Sequence, residues 1–589
     1  MILSRRVDIV LALMSVSAHE RIIRHVDSPE LLTIDEAARR AGVSIATMRR
    51  RAASGEVTAT KPGREWLIEA TSVVPSPFRS AATASRIAPQ LDLAQALVQV
   101  RHRDLVEVWV PDVVRFEDEL ASAVDILGAA AARIGGPGPF DAAIEVEAAK
   151  TPFLSRPAVL LSLADRIAYH AAVASVLARI EALTSSAVFS ARASQDEEYL
   201  LRSGTELCVE WQKEVANAID EGYTWMVKTD VSGYFENIQH RILFAEFDTL
   251  GPDPQVSAAL KRMLGTWAMV AGRGIPQGPD VSRVLGNLYL IPVDQVMTAG
   301  PWRYLRYQDD IRILARSRRE AVDGMRQLQR ECRLRGLMLS GDKTSALVGE
   351  EARGSTEDAE LDSAQYWVSV APGRVGRKVL RGVLRRALRA ESRVDGRHAR
   401  FSLYRLWRLR DSASLKLVLQ HFEDLAPLGS LGPQYLLPFM NRASVQRRIT
   451  EFLLDGQRNT SAFLSTWLLA AMMEQGVSIP AEWVIYARRV AENRNQPSYH
   501  RIIAASVLGA GRRTADLSWL RDAVKSEFDP AVLRGHLVAL ARAGELQRDT
   551  INVAVGRVPQ LEATANYLRG RTNLPSLIDP HARVAVKRP

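Results

Sequence analysis

The sequence predicts a multidomain α+β protein: a small helical module, a mixed strand-and-helix centre, and an all-helical tail. Three observations carry that reading. The chain has 589 residues, which at roughly 100 to 200 residues per domain makes about three to five domains. Between residues 141 and 350, short runs alternate apolar and polar and are joined by tight turns, the period of strands. Beyond about residue 375 the spacing becomes helical almost throughout.

Composition bounds the class. Hydrophobic residues make up 47% and charged residues 24%, with a mean hydropathy of −0.08, so the chain can bury sizeable cores and is neither disordered nor fibrous. The 77 Lys and Arg outnumber 67 acidic residues, giving +10 and a pI near 9.6. That balance favours an anionic partner, without choosing between nucleic acid and a membrane surface. Two isolated cysteines, Cys208 and Cys332, exclude a disulfide framework or a Cys-built zinc site and point to a reducing, cytoplasmic compartment. The apolar run Val7–Val16 is broken by Asp8 and preceded by Arg5 and Arg6, and Phe463–Met473 is far shorter than the ~20 residues of a spanning helix. No membrane segment or secretion signal is expected.

Residues 1–72 are assigned to a DNA-binding region. Thr33 and Glu36 have capping-box spacing ahead of an apolar stripe of Ile34, Ala37 and Ala38. Gly42 permits a turn, Ser44 caps a second helix bearing Thr47, Arg49, Arg50 and Arg51, and Gly55 ends it. Val57–Ile68, with Pro62 and Gly63 at its centre and Lys61 and Arg64 beside them, reads as a hairpin. The unit resembles the excisionase and MerR-type winged helix-turn-helix family, which implies duplex DNA contacts by the second helix. The plainer alternative is an Arg-rich packing module.

Residues 73–140 are read as linker and helix: Pro75, Pro77 and Pro89 mark the linker, Leu91–Ile134 is mostly helical, and Gly135–Pro139 stops it. Two strands follow, Ala142–Ala148 and Arg156–Leu163, joined by a turn region with Lys150, and then a helix over Ala164–Glu181 that opens on Asp165 and Arg166.

Four stations then carry chemistry. Trp225–Thr229 is a buried strand ending in Asp230, which alone is more often a helix cap than a metal ligand. Gly274–Pro279 is a Gly/Pro loop leading to Ser282, Gly286 and Asn287; its glycines let backbone approach a flat ligand. Arg303–Tyr307 and Ile311–Ala315 form a hairpin tipped by Gln308, Asp309 and Asp310. Adjacent carboxylates repel, and a divalent cation keeps both ionised, although Asp is also a common turn former. Leu339–Thr344 places Lys343 after a turn.

Together these stations, with Arg156–Pro157 and Asp165–Ile167, resemble the reverse transcriptase family over residues 141–350. The resemblance implies a right-hand polymerase fold, with fingers and an antiparallel palm sheet over residues 141–370. It implies that Asp230 and Asp309, supported by Asp310, bind two Mg²⁺, with Mn²⁺ as the alternative ion, and that Lys343 protonates the pyrophosphate. Phe235 would be the gate against a ribose 2′-hydroxyl, making dNTPs the substrates. Gln277 and Gly278 would line the base-pair pocket, and Gln308 would meet the primer end or nucleotide. Lys150 and Arg156 would attract the triphosphate by charge.

The tail, residues 371–589, contains one echo, Ser506–Gly511 repeated by Ala539–Gly544, which fits a helical solenoid or an irregular helical domain. Size and layout resemble the abortive-infection and defence-associated bacterial reverse transcriptases, whose tails form HEAT-like repeats. That implies antiphage defence and untemplated, protein-primed synthesis of DNA left attached to the enzyme, with Tyr404, Tyr435, Tyr486, Tyr499 and Tyr567 as priming candidates. The partners expected are dNTPs and nucleic acid, an RNA template or a DNA product; a homo-oligomer is compatible. Two alternatives stand beside this reading: a templated reverse transcriptase of a mobile element, intron-like or retron-like, and a DNA-binding regulator on a polymerase scaffold. Gln308 in place of the Ala usual in intron proteins, and the absence of a Cys-built nuclease, weigh against the first; the intact carboxylates weigh against the second.

Overall fold

The structure, a computed structural model, describes residues 31–41, 45–54, 57–61, 66–69, 91–106, 108–136, 140–151, 153–196, 198–355, 358–371, 373–389 and 394–578. The chain divides into two compact units, residues 1–76 and 77–589. Among the described residues no helix is long and apolar enough to cross a membrane.

In the first unit, β1 (Leu31–Thr33), β2 (Ala59–Thr60) and β3 (Leu67–Glu69) form an antiparallel sheet in the order β1-β3-β2, beside helices Ile34–Ala41 and Ile45–Ser54. The capping box forms in both directions: Thr33 N–H donates to Glu36 Oε2 at 2.9 Å, and Glu36 N–H to Thr33 Oγ1 at 3.4 Å. Ala37, Ala38, Met48, Ala52, Val57 and Ile68 make a small core. The short β1 was not expected from the sequence; it uses the residues just before the cap to pair with β3. The positions of Gly42, Ser44, Gly55, Pro62, Gly63 and Arg64 lie outside the described residues.

The second unit holds the hairpin of β4 (Ile144–Ala149) and β5 (Ser155–Leu160) and a four-stranded antiparallel sheet of β6 (Trp225–Asp230), β7 (Arg303–Tyr307), β8 (Asp310–Ala315) and β9 (Ser345–Val348), in the order β7-β8-β6-β9. Strand alternation gives this sheet two apolar faces. Ile311, Ile313 and Ala315 join Leu285 and Leu328 of helices Asp280–Thr298 and Arg318–Leu334. Met226 and Leu314 face the other way, onto Trp211 and Val215 of helix Gly204–Asp220.

The tail from Arg374 is helical, as its periodicity predicts, and helices Ser498–Gly511 and Pro530–Ala543, which hold the two copies of the echo, pack closely. A Cβ on Gly509 would lie 2.1 Å from the Ala539 carbonyl oxygen, so only glycine permits that approach. The tail shares its core with the hairpin: Val146, Ala148 and Ala158 are buried in one cluster with tail residues such as Trp483, Ile503 and Leu537. Arg534 clamps the same junction, donating to Asp118 Oδ2 and Oδ1 at 2.7 Å each and to Asp112 Oδ1 at 3.1 Å. Segment 91–136 is less continuously helical than its apolar spacing predicts. Residues 108–116 leave the helix so that Asp112 and the buried Val110, Val113 and Val114 can meet the tail.

Candidate active site

The adjoining ends of the two central strands, β6 and β8, gather the acidic stations. Register pairs Asp230 of β6 with Asp310 of β8, and Tyr307 of β7 with Asp310, so the Gln308–Asp309 turn sits beside the end of β6. Val231 N–H donates to the Asp309 carbonyl at 3.3 Å and closes the turn onto β6. Asp309 is half-buried. Burial and the neighbouring Asp230 and Asp310 charges push its pKa up to about 6. Burial also raises that of Asp310, against the opposing pull of Arg312, whose Nη1 lies 3.7 Å away.

Lys343 reaches the same corner from the loop before β9. Its Nζ donates to Asp230 Oδ2 at 2.6 Å. The loop is fixed by Ser340 N–H to the Asp230 carbonyl at 2.8 Å, Thr229 Oγ1 to Thr344 Oγ1 at 2.8 Å, and Thr344 Oγ1 to the Ser340 carbonyl at 2.6 Å. A lysine that looked isolated in sequence is thus the counter-cation of the strand-end aspartate.

Phe235 follows Gly233, whose φ of 55° turns the chain away from β6 into the short helix Tyr234–Asn237. The Gly/Pro loop lies along this helix: Ile275 N–H donates to the Phe235 carbonyl at 2.9 Å and Gly274 N–H to the Ile238 carbonyl at 2.8 Å. Gln277 Nε2 approaches Glu236 Oε1 at 3.5 Å, while its carbonyl accepts from Trp109 Nε1 at 2.9 Å and from Val159 N–H at 3.2 Å. Gly278 has φ 143°, and a Cβ there would press on Trp109 Nε1 at 3.2 Å and the Val159 oxygen at 3.3 Å. The loop therefore bridges the β4–β5 hairpin and helix Tyr234–Asn237.

Gln308 is placed differently from its sequence-based expectation. It is buried, with φ 58°, and its side chain lies in a notch over Gly286, where a Cβ would come within 2.7 Å of its Nε2. Its amide reaches the Arg283 carbonyl at 3.4 Å, so its visible contacts are with the protein core. Lys150 and Arg156 flank the tip of the β4–β5 hairpin; Lys150 is half-buried and Arg156 exposed, its guanidinium 5.7 Å from the Trp109 ring. Arg49 is exposed and Arg51 half-buried on the second helix of the first unit, while the side chains of Thr47 and Arg50 lie outside the description.

Of the tyrosines singled out in the tail, Tyr435 is fully buried and donates to the Asp411 carbonyl at 2.5 Å, and Tyr499 is buried among tail helices. Neither hydroxyl can attack a nucleotide from those positions. Tyr404, Tyr486 and Tyr567 are half-buried.

The groups that hold the site carry no local sequence signal. Arg306 and Asp294 form a buried pair beneath the Gln308 turn, with Asn287 and Ser190 beside it. Asp104 accepts from Asp280 N–H at 2.6 Å, capping helix Asp280–Thr298 from a distant segment, and also pairs with Arg166. Helix Arg374–Arg389 also stands out, since it contains no acidic residue. Arg374, Lys378, Arg385 and Arg389 fall within about 60° of one another around its axis, over about 22 Å of length. All four are exposed, and among the described residues none has an acidic partner. The arginines bordering this stripe are neutralised: Arg381 by Asp411 at 3.0 Å and Arg386 by Glu360 at 2.9 Å.

The carboxylates of Asp230, Asp309 and Asp310 are hard oxygen donors, a donor set whose chemistry suits Mg²⁺ or Mn²⁺. Among the described residues no three His, Cys, Asp or Glu side chains are drawn together into a finished metal cage; Lys343 supplies the positive charge at Asp230 instead.

Residues 155–368 match the family described as "Reverse transcriptase (RNA-dependent DNA polymerase)". Among solved structures the chain is similar to one described as "Partial Cas6-RT-Cas1--Cas2 complex", at 18% identity and a TM-score of 0.24, over 50% of this chain and 51% of that one. The chain spans about half the length of that structure. No curated protein matches the sequence.

Proposed function

We propose that this chain, whose residues 155–368 are a reverse transcriptase domain and so a nucleotidyltransferase, is a divalent-metal-dependent DNA polymerase of the defence-associated, abortive-infection type. The observation that carries the catalytic part is the convergence of Asp230, Asp309, Asp310 and Lys343 at the ends of the two central strands within the matched segment. Asp230 and Asp309 would hold two Mg²⁺, with Asp310 in support. Bound there, the ions supply a lowered pKa for the primer hydroxyl and charge stabilisation for the leaving pyrophosphate.

The chain's own residues do the rest. Lys343 carries a proton on Nζ beside Asp230 and gives it to the pyrophosphate as that leaves. Phe235, held against the loop by the Ile275 backbone bond, excludes a 2′-hydroxyl. Gln277 and Gly278 shape the nucleotide pocket between hairpin and gate helix. Lys150 and Arg156 draw in the triphosphate by charge. Nucleic acid is the partner that a reverse transcriptase domain requires, and the stripe of Arg374, Lys378, Arg385 and Arg389, which has no acidic partner among the described residues, supports a phosphate-tracking surface beyond the matched segment. Like charges at i, i+4 cost a helix about 0.2–0.5 kcal/mol per pair, a cost that an anionic partner offsets. The capped helix pair of residues 31–54, with Arg49 exposed, supports a separate duplex-binding unit.

The defence role and protein priming rest on the long helical tail and the resemblance of layout. Among the tyrosines considered, Tyr404, Tyr486 and Tyr567 remain as priming candidates, since Tyr435 and Tyr499 are buried. The test is incubation of purified protein with each labelled dNTP and Mg²⁺, without template or primer, and denaturing gels before and after protease. Label that travels with the protein and is lost on proteolysis supports protein-primed, untemplated synthesis. Label that appears only with an RNA template and primer replaces that class with a mobile-element type of templated enzyme. A promoter footprint that survives Asp309→Asn, with no incorporation by the wild type, supports the regulator reading.

A further inference from the structure

We infer that Arg306 and Asp294 are a positioning pair that sets the catalytic turn: they touch no substrate, and they fix the peptide from which Asp309 projects. The inference rests on the polymerase reading above.

A buried ion pair is costly to desolvate, and well-packed apolar residues commonly replace one without loss of stability. Its presence in a core therefore calls for a reason beyond adhesion. Both side chains are almost fully buried. Asp294 Oδ1 accepts from Arg306 Nε at 2.8 Å and from the Tyr304 hydroxyl at 2.9 Å, and its Oδ2 accepts from Arg306 Nη2 at 2.5 Å. The pair spends two of the guanidinium nitrogens. The third, Nη1, points at the turn, donating to the Gln308 carbonyl at 2.8 Å and to Asn287 Oδ1 at 3.0 Å.

That carbonyl belongs to the peptide joining Gln308 to Asp309. Gln308 has φ 58°, a left-handed conformation that a side chain bearing Cβ adopts at a cost and keeps only where its surroundings enforce it. Both of its backbone groups are held, the carbonyl by Arg306 and the N–H by Ser190 Oγ at 2.9 Å. Ser190 is anchored in turn. Asn287 Nδ2 donates to the Ser190 carbonyl at 2.6 Å, and the chain just before it runs alongside Arg306, with Arg306 N–H to Ala187 O and Phe189 N–H to Arg306 O, both at 2.9 Å. Arg306 is thus the hub joining segment 187–190, helix Asp280–Thr298 and the turn.

The test uses the full-length protein and separates position from adhesion. Arg306→Met with Asp294→Leu replaces the pair by apolar side chains, leaving no orphaned charge, but no donor to the Gln308 carbonyl and no acceptor for the Tyr304 hydroxyl. The expected result is a folded protein with a cooperative melting transition, lowered because two buried polar groups lose partners, a kcat for dNTP incorporation lower by about 10²-fold, the scale of a 1 Å misplacement, and a dNTP KM changed by less than about threefold. Arg306→Lys, which keeps the charge but not the fork, should fall between. A folded double variant with wild-type kcat overturns the positioning role. If the double variant does not fold, Arg306→Lys decides, because it keeps a charge opposite Asp294 but removes the Nη1 donor to the Gln308 carbonyl. Lower kcat at unchanged KM supports the inference, and wild-type kcat overturns it. Wild-type protein that incorporates nothing overturns the polymerase reading itself and this inference with it.

Discussion

Lys343 Nζ stands 2.6 Å from Asp230 Oδ2, a contact between residues 113 apart in sequence that binds the loop before β9 to the end of β6. The contact makes Lys343 the counter-charge to Asp230, and the proposed mechanism gives it a second role, proton donor to the pyrophosphate. Lys343→Ala should lower kcat by about 10²-fold or more, the contribution of a well-placed general acid, and leave dNTP KM little changed. Single-turnover incorporation across pH checks it, and an unchanged kcat removes Lys343 from the chemistry.

Phe235 lies on the helix against which the Gly/Pro loop is hydrogen-bonded, so its ring can be shortened without breaking that backbone contact. Phe235→Ala should retain dNTP incorporation and reduce discrimination against ribonucleotides by about tenfold or more. Competition between matched rNTP and dNTP gives the ratio directly. Unaltered selectivity would place the gate elsewhere.

The stripe on helix Arg374–Arg389 predicts a salt effect. Alanine at Arg374, Lys378, Arg385 and Arg389 should weaken nucleic-acid binding uniformly across sequences. Each lost phosphate contact should reduce the slope of log K against log salt by about one. Titrations at several salt concentrations measure this. A slope equal to that of wild type would make the stripe an ordinary solvated face.

Arg534 predicts an acid-sensitive junction. Burial pushes the Asp118 carboxyl up, but Arg534 more than offsets it, and the net pKa lies below the ordinary 3.8. A carboxylate lowered on folding contributes stability that is complete above its unfolded pKa and lost as pH falls through the folded one. In wild-type protein the Asp118 contribution should therefore be lost only below about pH 4. Arg534→Ala leaves Asp118 charged and buried beside Asp112, and should destabilise by about 3–5 kcal/mol near neutral pH, with part of the loss recovered as acid protonates Asp118. Thermal melts from pH 3 to pH 7 test the sign; equal destabilisation at every pH would contradict it.

Much of the site was legible because its signals are local. Alternation located the strands of Asp230 and of the Asp309–Asp310 hairpin. The Gly274–Pro279 loop announced itself by glycine and proline, and the Thr33–Glu36 spacing described a capping box that forms as written. The supports were not legible, because each depends on a partner far along the chain. Nothing near Arg306 shows that Asp294 will meet it in a core, and nothing near Asp280 shows that Asp104 caps its helix. Gln308 illustrates the limit: its place before two aspartates suggested a substrate contact, whereas the notch over Gly286 receives its side chain. Alternation likewise marked one face of the β4–β5 hairpin as apolar, but not that tail helices cover Val146 and Ala148.

The central claim is that the Asp230–Asp309 corner performs metal-dependent nucleotidyl transfer. The most direct measurement is incorporation of labelled dNTP by wild-type, Asp230→Asn and Asp309→Asn proteins, each with Mg²⁺, with Mn²⁺ and with chelator, and each with and without an RNA template and primer. The account predicts incorporation by wild type with either ion, none with chelator, and none by either variant while both retain the wild-type melting transition. Incorporation that survives Asp309→Asn in a folded protein, or wild type that incorporates nothing under any of these conditions, would contradict it.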